Sequence, residues 1–109
     1  MEDLTAKKCV PCEGGTKPLE QEAIQNYLSQ VPGWSVAADL KSITREYQFA
    51  DFKAAIVFVN EVANLAEFEG HHPNIYIFYN KVKLTLSTHA IKGLSENDFI
   101  LAAKMNQIG

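Results

Sequence analysis

Residues 74–87, NIYIFYNKVKLTLS, restrict the fold more than any other stretch of this chain. Two runs rich in β-branched and aromatic residues flank a short polar pair, Asn80 and Lys81, which reads as a hairpin with a tight turn. In the second run Val82, Leu84 and Leu86 alternate with Lys83, Thr85 and Ser87, so one face is buried and the other wetter. The first run is apolar on both faces, which suits a central strand or a subunit contact. A second hairpin precedes it, with strands over 34–36 and 43–49 and Asp39, Leu40 and Lys41 near the turn. Strands that arrive in hairpin pairs specify an antiparallel sheet and disfavour a doubly wound parallel one.

Helical patterns fill the intervals. From Pro18, a residue that suits a first turn, Leu19, Ala23, Tyr27 and Leu28 share one face until VPGW stops the helix. Asp51 is an N-cap for a long helix whose stripe is Phe52, Ala55, Ile56, Val59, Val62, Ala63 and Ala66. Gly70 fits the left-handed position that ends it. In GLSENDFILAAKM, Ser95 is the N-cap, Asp98 at the third position completes a near-capping box, and Leu94 and Phe99 form a hydrophobic staple. The order of helix, two strands, long helix, two strands, helix predicts an α+β sandwich. It has a four-stranded antiparallel sheet with about three helices on one face. No internal repeat or low-complexity tract interrupts it.

A chain of 109 residues fits one domain, and a hydrophobic content of 47% supports a core at that length. Ten basic against 13 acidic residues, a formal charge of −3, argue against nucleic acid as a partner, because such binding needs a basic surface. No apolar run approaches the ~20 residues of a membrane span. MEDLTAKKC carries no apolar signal region. The expectation is a cytoplasmic protein without membrane contact. Residues 1–17 read as a flexible N-terminal arm ahead of a single domain over 18–109. The arm holds Cys9 and Cys12 in KKCVPCEGG. Such a pair can ligate zinc or exchange disulfides. Zinc needs two further ligands and no second C-x-x-C exists. A thioredoxin-like motif needs a following helix, whereas Gly14 and Gly15 come next. The arm reading is therefore preferred to a metal or redox role.

All three histidines, His71, His72 and His89, flank the second hairpin. A turn at Asn80 and Lys81 sets Tyr79 opposite Val82, Ile77 opposite Leu84, Ile75 opposite Leu86 and, continued outward, His72 opposite His89 at about 5 Å between Cβ atoms. A shift of one residue brings His71 beside His89 instead. Glu67, one helical turn before His71, lies at the edge of the apolar stripe, and Pro73 forces His72 toward extended geometry. One carboxylate and three imidazoles thus converge. Competing readings stay open. The histidines could be ordinary half-buried residues, Asp98 only a helix cap, Glu67 a solvated helix-end residue and Tyr79 a packing residue. A zinc or iron site is disfavoured because adjacent histidines point different ways. Ser87 and Thr88 lie beside His89, but no G-x-S-x-G elbow and no glycine-rich phosphate loop exists. Imidazole titrates near neutral pH, so one histidine can accept a proton while another donates one. A reaction that needs only proton movement fits best.

The pattern Glu67-x3-His71-His72-Pro73-x5-Tyr79-x9-His89-x8-Asp98-Phe99 resembles the pterin-4a-carbinolamine dehydratases, together with PGW at 32–34, FADF at 49–52 and KGLSENDF at 92–99. The resemblance covers most of the chain after the arm. It implies a four-stranded antiparallel sheet with helices on one side, in a homodimer or homotetramer. It also implies dehydration of 4a-hydroxytetrahydrobiopterin to quinonoid dihydropterin and water, with neither metal nor cofactor, recycling the pterin used by aromatic amino-acid hydroxylases such as phenylalanine hydroxylase. His71 and His89 would be the leading acid–base pair, with His72 assisting in binding or proton transfer. Glu67 and Asp98 would orient imidazoles or tune their acidity. Ser87, Thr88 and His89, with the backbone around Gly70, His71 and His72, would hold the pterin ring. Gly70 stands where animal members often carry aspartate, and Ile75 where they often carry tryptophan. Both could change how the pterin is held. The rival within the same fold is a non-catalytic assembly or interaction protein. Such relatives usually lose part of the histidine set, which this chain retains. A metal-dependent hydrolase built on the same cluster is a further rival.

Overall fold

The computed structural model describes residues 4–9 and 17–108. In chain order the elements are α1 (Gln21–Leu28), β1 (Ser35–Val36), β2 (Ile43–Gln48), α2 (Phe52–Glu69), β3 (Asn74–Phe78), β4 (Lys81–Leu86) and α3 (Glu96–Met105), with 3-10 turns at Leu4–Ala6 and His89–Ile91. The strands form one antiparallel sheet in the order β1-β2-β4-β3. Three helices and a four-stranded antiparallel sheet are the α+β class that the hairpin pairs predict.

The core forms where β4 meets the helices. Val82, Leu84 and Leu86 are fully buried, while Lys83 and Thr85 between them are half-exposed, as the alternation dictates. α3 is buried nearly all round, from Asn97 to Ala103 and at Met105, with the polar Asn97 and Asp98 included. Truncating Phe99 there would cost about 3–5 kcal/mol. α2 starts where Asp51 Oδ1 accepts the Ala54 N–H at 2.8 Å. Its buried face is Ala55, Phe58, Val62, Ala66 and Glu69. That face is rotated from the expected stripe: Phe52 is 51% exposed and Ala63 is exposed, whereas Phe58 is buried. The helix offers apolar residues on more than one side, and the aromatic cluster of Tyr47, Phe49 and Phe58, with ring centroids 4.5 and 5.0 Å from Phe58, decides which side packs.

Several local expectations need correction. α1 begins at Gln21, not Pro18. Pro18 and Leu19 instead seat on the loop before α3. Leu19 donates its N–H to the Leu94 carbonyl at 2.8 Å, and a Cβ on Gly93 would come within 2.7 Å of Pro18 Cβ. β3 is an edge strand rather than a central one, because β4 takes the place between β2 and β3. The second hairpin turns at Tyr79 and Asn80, one residue earlier than expected, with Tyr79 in left-handed backbone (φ 54). Ile77 therefore pairs with Val82 and Ile75 with Leu84. The slip preserves which side chains face inward but removes the pairing of His72 with His89.

Residues 4–9, the described part of the segment read as an arm, pack against the domain. Leu4 is 3% exposed within the core, and Lys7 Nζ meets Glu96 Oε2 at 2.9 Å. Cys12, Gly14 and Gly15 lie outside the described residues.

Candidate active site

The cleft is built from the end of α2, the turn after β4 and the start of α3. Gly70 ends α2 in left-handed backbone (φ 69, ψ 24), as its position in the sequence predicts. Its N–H donates to the Ala66 carbonyl at 2.9 Å and that of His71 to the same oxygen at 3.2 Å, so the residue after the glycine is tied to the helix end. His71 Nε2 then lies 2.6 Å from Asp98 Oδ1. Asp98 is fully buried in the first turn of α3. Its Oδ2 accepts the Ser95 N–H at 3.0 Å and the Thr88 hydroxyl at 2.8 Å. With the Thr88 proton so committed, the Ser95 hydroxyl donates to Thr88 Oγ1 across 2.8 Å. One carboxylate thus caps α3, secures the turn after β4 and holds His71. Because a carboxylate accepts, the contact assigns the Nε2 proton to His71.

The Thr88 N–H donates to Gly93 O at 2.8 Å, closing a loop that carries His89 and ends with Lys92 in left-handed backbone (φ 53). His89 is exposed. His72 Nε2 lies 3.3 Å from Glu67 Oε2, with both side chains largely exposed. Gly70, His71, His72, Ser87, Thr88 and His89 all line one cleft of about 390 Å³. That is room for a small heterocycle held by a few polar groups. Ala90 and Asn97 also line it.

Two further lining residues form a polar joint beside the histidines. Glu69 is buried, its Oε1 accepts the Cys9 N–H at 2.9 Å, and its Oε2 lies 2.5 Å from Lys104 Nζ. Burial alone would lift its carboxyl. The Lys104 ammonium and the Cys9 N–H outweigh that and hold it below the usual carboxylate range. Burial first, and then the Glu69 charge, push the Cys9 thiol up to about 12. Its Sγ–H donates to Asn97 O at 3.6 Å, so the thiol is a neutral part of the cleft at physiological pH.

Residues 17–108 match the family model described as pterin 4 alpha carbinolamine dehydratase. The chain belongs to this family. A protein of Halorhodospira halophila, provisionally named a pterin-4-alpha-carbinolamine dehydratase, is 46% identical over 97% of this chain and 97% of its own length. One of Rubrobacter xylanophilus with the same provisional name is 42% identical over 99% of this chain and all of its own length. A crystal structure of a transcriptional coactivator/pterin dehydratase from Brucella melitensis superimposes with a TM-score of 0.78 at 36% identity. That match covers 83% of this chain and 96% of the other. A pterin dehydratase-like protein described as a RuBisCO assembly factor shares the fold, with a TM-score of 0.59 at 24% identity over 68% of this chain and 86% of its own.

Within this dehydratase family chain, the three histidines line one cleft, and the expected strand pairing of His72 with His89 is absent. Asp98 is a cap and a histidine partner at once, so two readings that competed in the sequence are both observed as contacts. Glu67 meets His72 and stays on the surface, and it is not among the residues that line the cleft. Tyr79 is 68% exposed at the hairpin tip. Glu69, Cys9 and Asn97 are cleft residues that sequence reasoning missed. For Glu69 a signal existed: it follows Ala66 by three and Val62 by seven, which continues the buried face of α2. Among the described residues no three His, Cys, Asp or Glu side chains gather as a metal-ligand set, and no helix is long and apolar enough to cross a membrane.

Proposed function

We propose that this chain dehydrates 4a-hydroxytetrahydrobiopterin to quinonoid dihydropterin and water. The observation that carries the reading is the cleft in which His71, bound by buried Asp98, shares one space with His72 and His89. The reaction removes the N5 proton and the 4a-hydroxyl. A base takes the proton, the N5 electron pair forms the C4a=N5 bond, and an acid protonates the departing hydroxyl as water. His71 and His89 form the acid–base pair, with His72 assisting in binding or proton transfer. Asp98 fixes the His71 tautomer, and Glu67 orients His72. Ser87, Thr88 and the backbone from Gly70 to His72 hold the ring. In this reading the step recycles the cofactor of an aromatic amino-acid hydroxylase such as phenylalanine hydroxylase. The complete histidine set favours this activity over a purely structural assembly role.

The protein acts as a homodimer or homotetramer in this reading. Support comes from β3, an open sheet edge that exposes Tyr76, Ile77 and Phe78. The decisive test supplies chemically generated 4a-hydroxytetrahydropterin and follows its dehydration. His71→Ala and His89→Ala should lose most of the acceleration while remaining folded. A wild-type protein that leaves the spontaneous rate unchanged would overturn the proposal.

A further inference from the structure

Residues 4–9 lie outside the family-matched region at 17–108, yet Cys9 lines the same cleft as His71 and His89. Three anchors hold the segment there. Leu4 is buried in the core. Lys7 pairs with Glu96 at 2.9 Å, and Glu96 also accepts the Tyr27 hydroxyl at 2.8 Å. The third anchor is the Cys9 N–H on Glu69 Oε1, at the edge of the cleft itself. Glu69 stands in the last turn of α2, two residues before His71. A carboxylate so buried is costly unless paired and hydrogen-bonded, and a backbone N–H beside it is costly unless accepted. Glu69, Lys104 and Cys9 satisfy one another, so losing the carboxylate releases the segment and orphans a lysine together.

We propose that Glu69 is a positioning residue that latches the 4–9 segment across the cleft, making Cys9 part of the wall against which the substrate ring fits. The ring's identity rests on the pterin reading above; the latch rests on geometry alone. The latch joins the segment to the same helix end that delivers His71, so fit and chemistry are set by one joint. A thiol kept neutral offers a soft, weakly polar surface, suited to lying beside a flat heterocycle rather than attacking it.

The test uses the full chain and iodoacetamide, with modification of Cys9 resolved by peptide mass. Glu69→Gln should speed Cys9 alkylation at least tenfold without ligand, and saturating 7,8-dihydrobiopterin should slow it several-fold in the wild type. In the dehydration assay Glu69→Gln should raise KM several-fold and change kcat less. Cys9→Trp, which keeps the latch but fills the wall, should raise KM likewise, with folding checked by thermal melting. An unchanged alkylation rate in Glu69→Gln overturns the latch. Unchanged KM in both variants, or no protection by dihydrobiopterin in a wild type that binds it, overturns the wall. If the wild type neither binds nor dehydrates the pterin, the functional reading fails by itself, and the ligand-free alkylation rates still decide the latch.

Discussion

Asp98 divides its work between two oxygens. Oδ2 serves the start of α3 and the Thr88 turn, and Oδ1 serves His71. Asparagine keeps one acceptor oxygen. If that oxygen stays with Ser95 and Thr88, an NH2 group faces His71 Nε2, where only an acceptor nitrogen can meet it, and the imidazole takes the wrong tautomer. Asp98→Asn should therefore cost about 10²–10⁴ in kcat/KM, the range for misplacing one acid–base group, while the stability loss stays near the ~1 kcal/mol of one weakened hydrogen bond. Asp98→Ala should lose both functions, with a stability loss of about 2–3 kcal/mol from the lost cap and orphaned donors. Urea midpoints beside dehydration kinetics separate the two effects. Equal activity of Asp98→Asn and wild type would remove Asp98 from the mechanism. The sequence displays the Ser95–Asp98 spacing, which is local, but not the partner 27 residues away. A cap motif and a site residue therefore looked like alternatives.

At the scale of elements, the path from α2 into β3 depends on Gly70. A Cβ there would meet nothing within 4 Å, so any cost of substitution is conformational. Gly70→Ala should destabilise by about 1 kcal/mol, the penalty for an alanine in left-handed backbone. Gly70→Asn should lose less, because asparagine tolerates that region. Thermal unfolding of the pair checks the order, and an alanine variant as stable as wild type would contradict the capping account. This helix stop is legible because a glycine after a long stripe has one common meaning. The hairpin turn is not. Local rules favour glycine in a two-residue turn, and residues 74–87 contain none. The position is fixed from outside: Asn80 O accepts the Phe49 N–H at 2.8 Å, and its Nδ2 donates to Phe49 O at 2.9 Å. These bonds draw Asn80 onto the end of β2 and push the left-handed conformation onto Tyr79. No reading confined to the hairpin could place them.

For the whole molecule, the docked N-terminal segment and the open sheet edge set responses that no single element shows. Glu69 is held below the usual carboxylate range by Lys104 and Cys9 against its burial, and Glu96 by its hydrogen bonds to Lys7 and Tyr27. Groups depressed in the folded state bind fewer protons there than in the unfolded chain. Their contribution is present above the ordinary value of 4.5 and is lost as pH falls below it. The raised Cys9 thiol acts in the opposite sense: its contribution is complete below 9.0 and lost as pH climbs toward about 12. Hydrogen-exchange protection of residues 4–9 should therefore peak between these limits and fall at both ends before the core opens. Loss of protection only with global unfolding would contradict it. At one edge of the sheet, β3 presents backbone that is unpaired among the described residues, beside Ile77, 40% exposed, and Phe78, 60% exposed. A second copy pairing its own β3 would cover the apolar side chains and satisfy the edge together. A lysine in place of Ile77 puts a charge at the centre of that contact, and leaves the cleft lining untouched. Ile77→Lys should weaken self-association at least tenfold in sedimentation equilibrium while leaving the monomer folded. Association as tight as wild type would move the interface to another face.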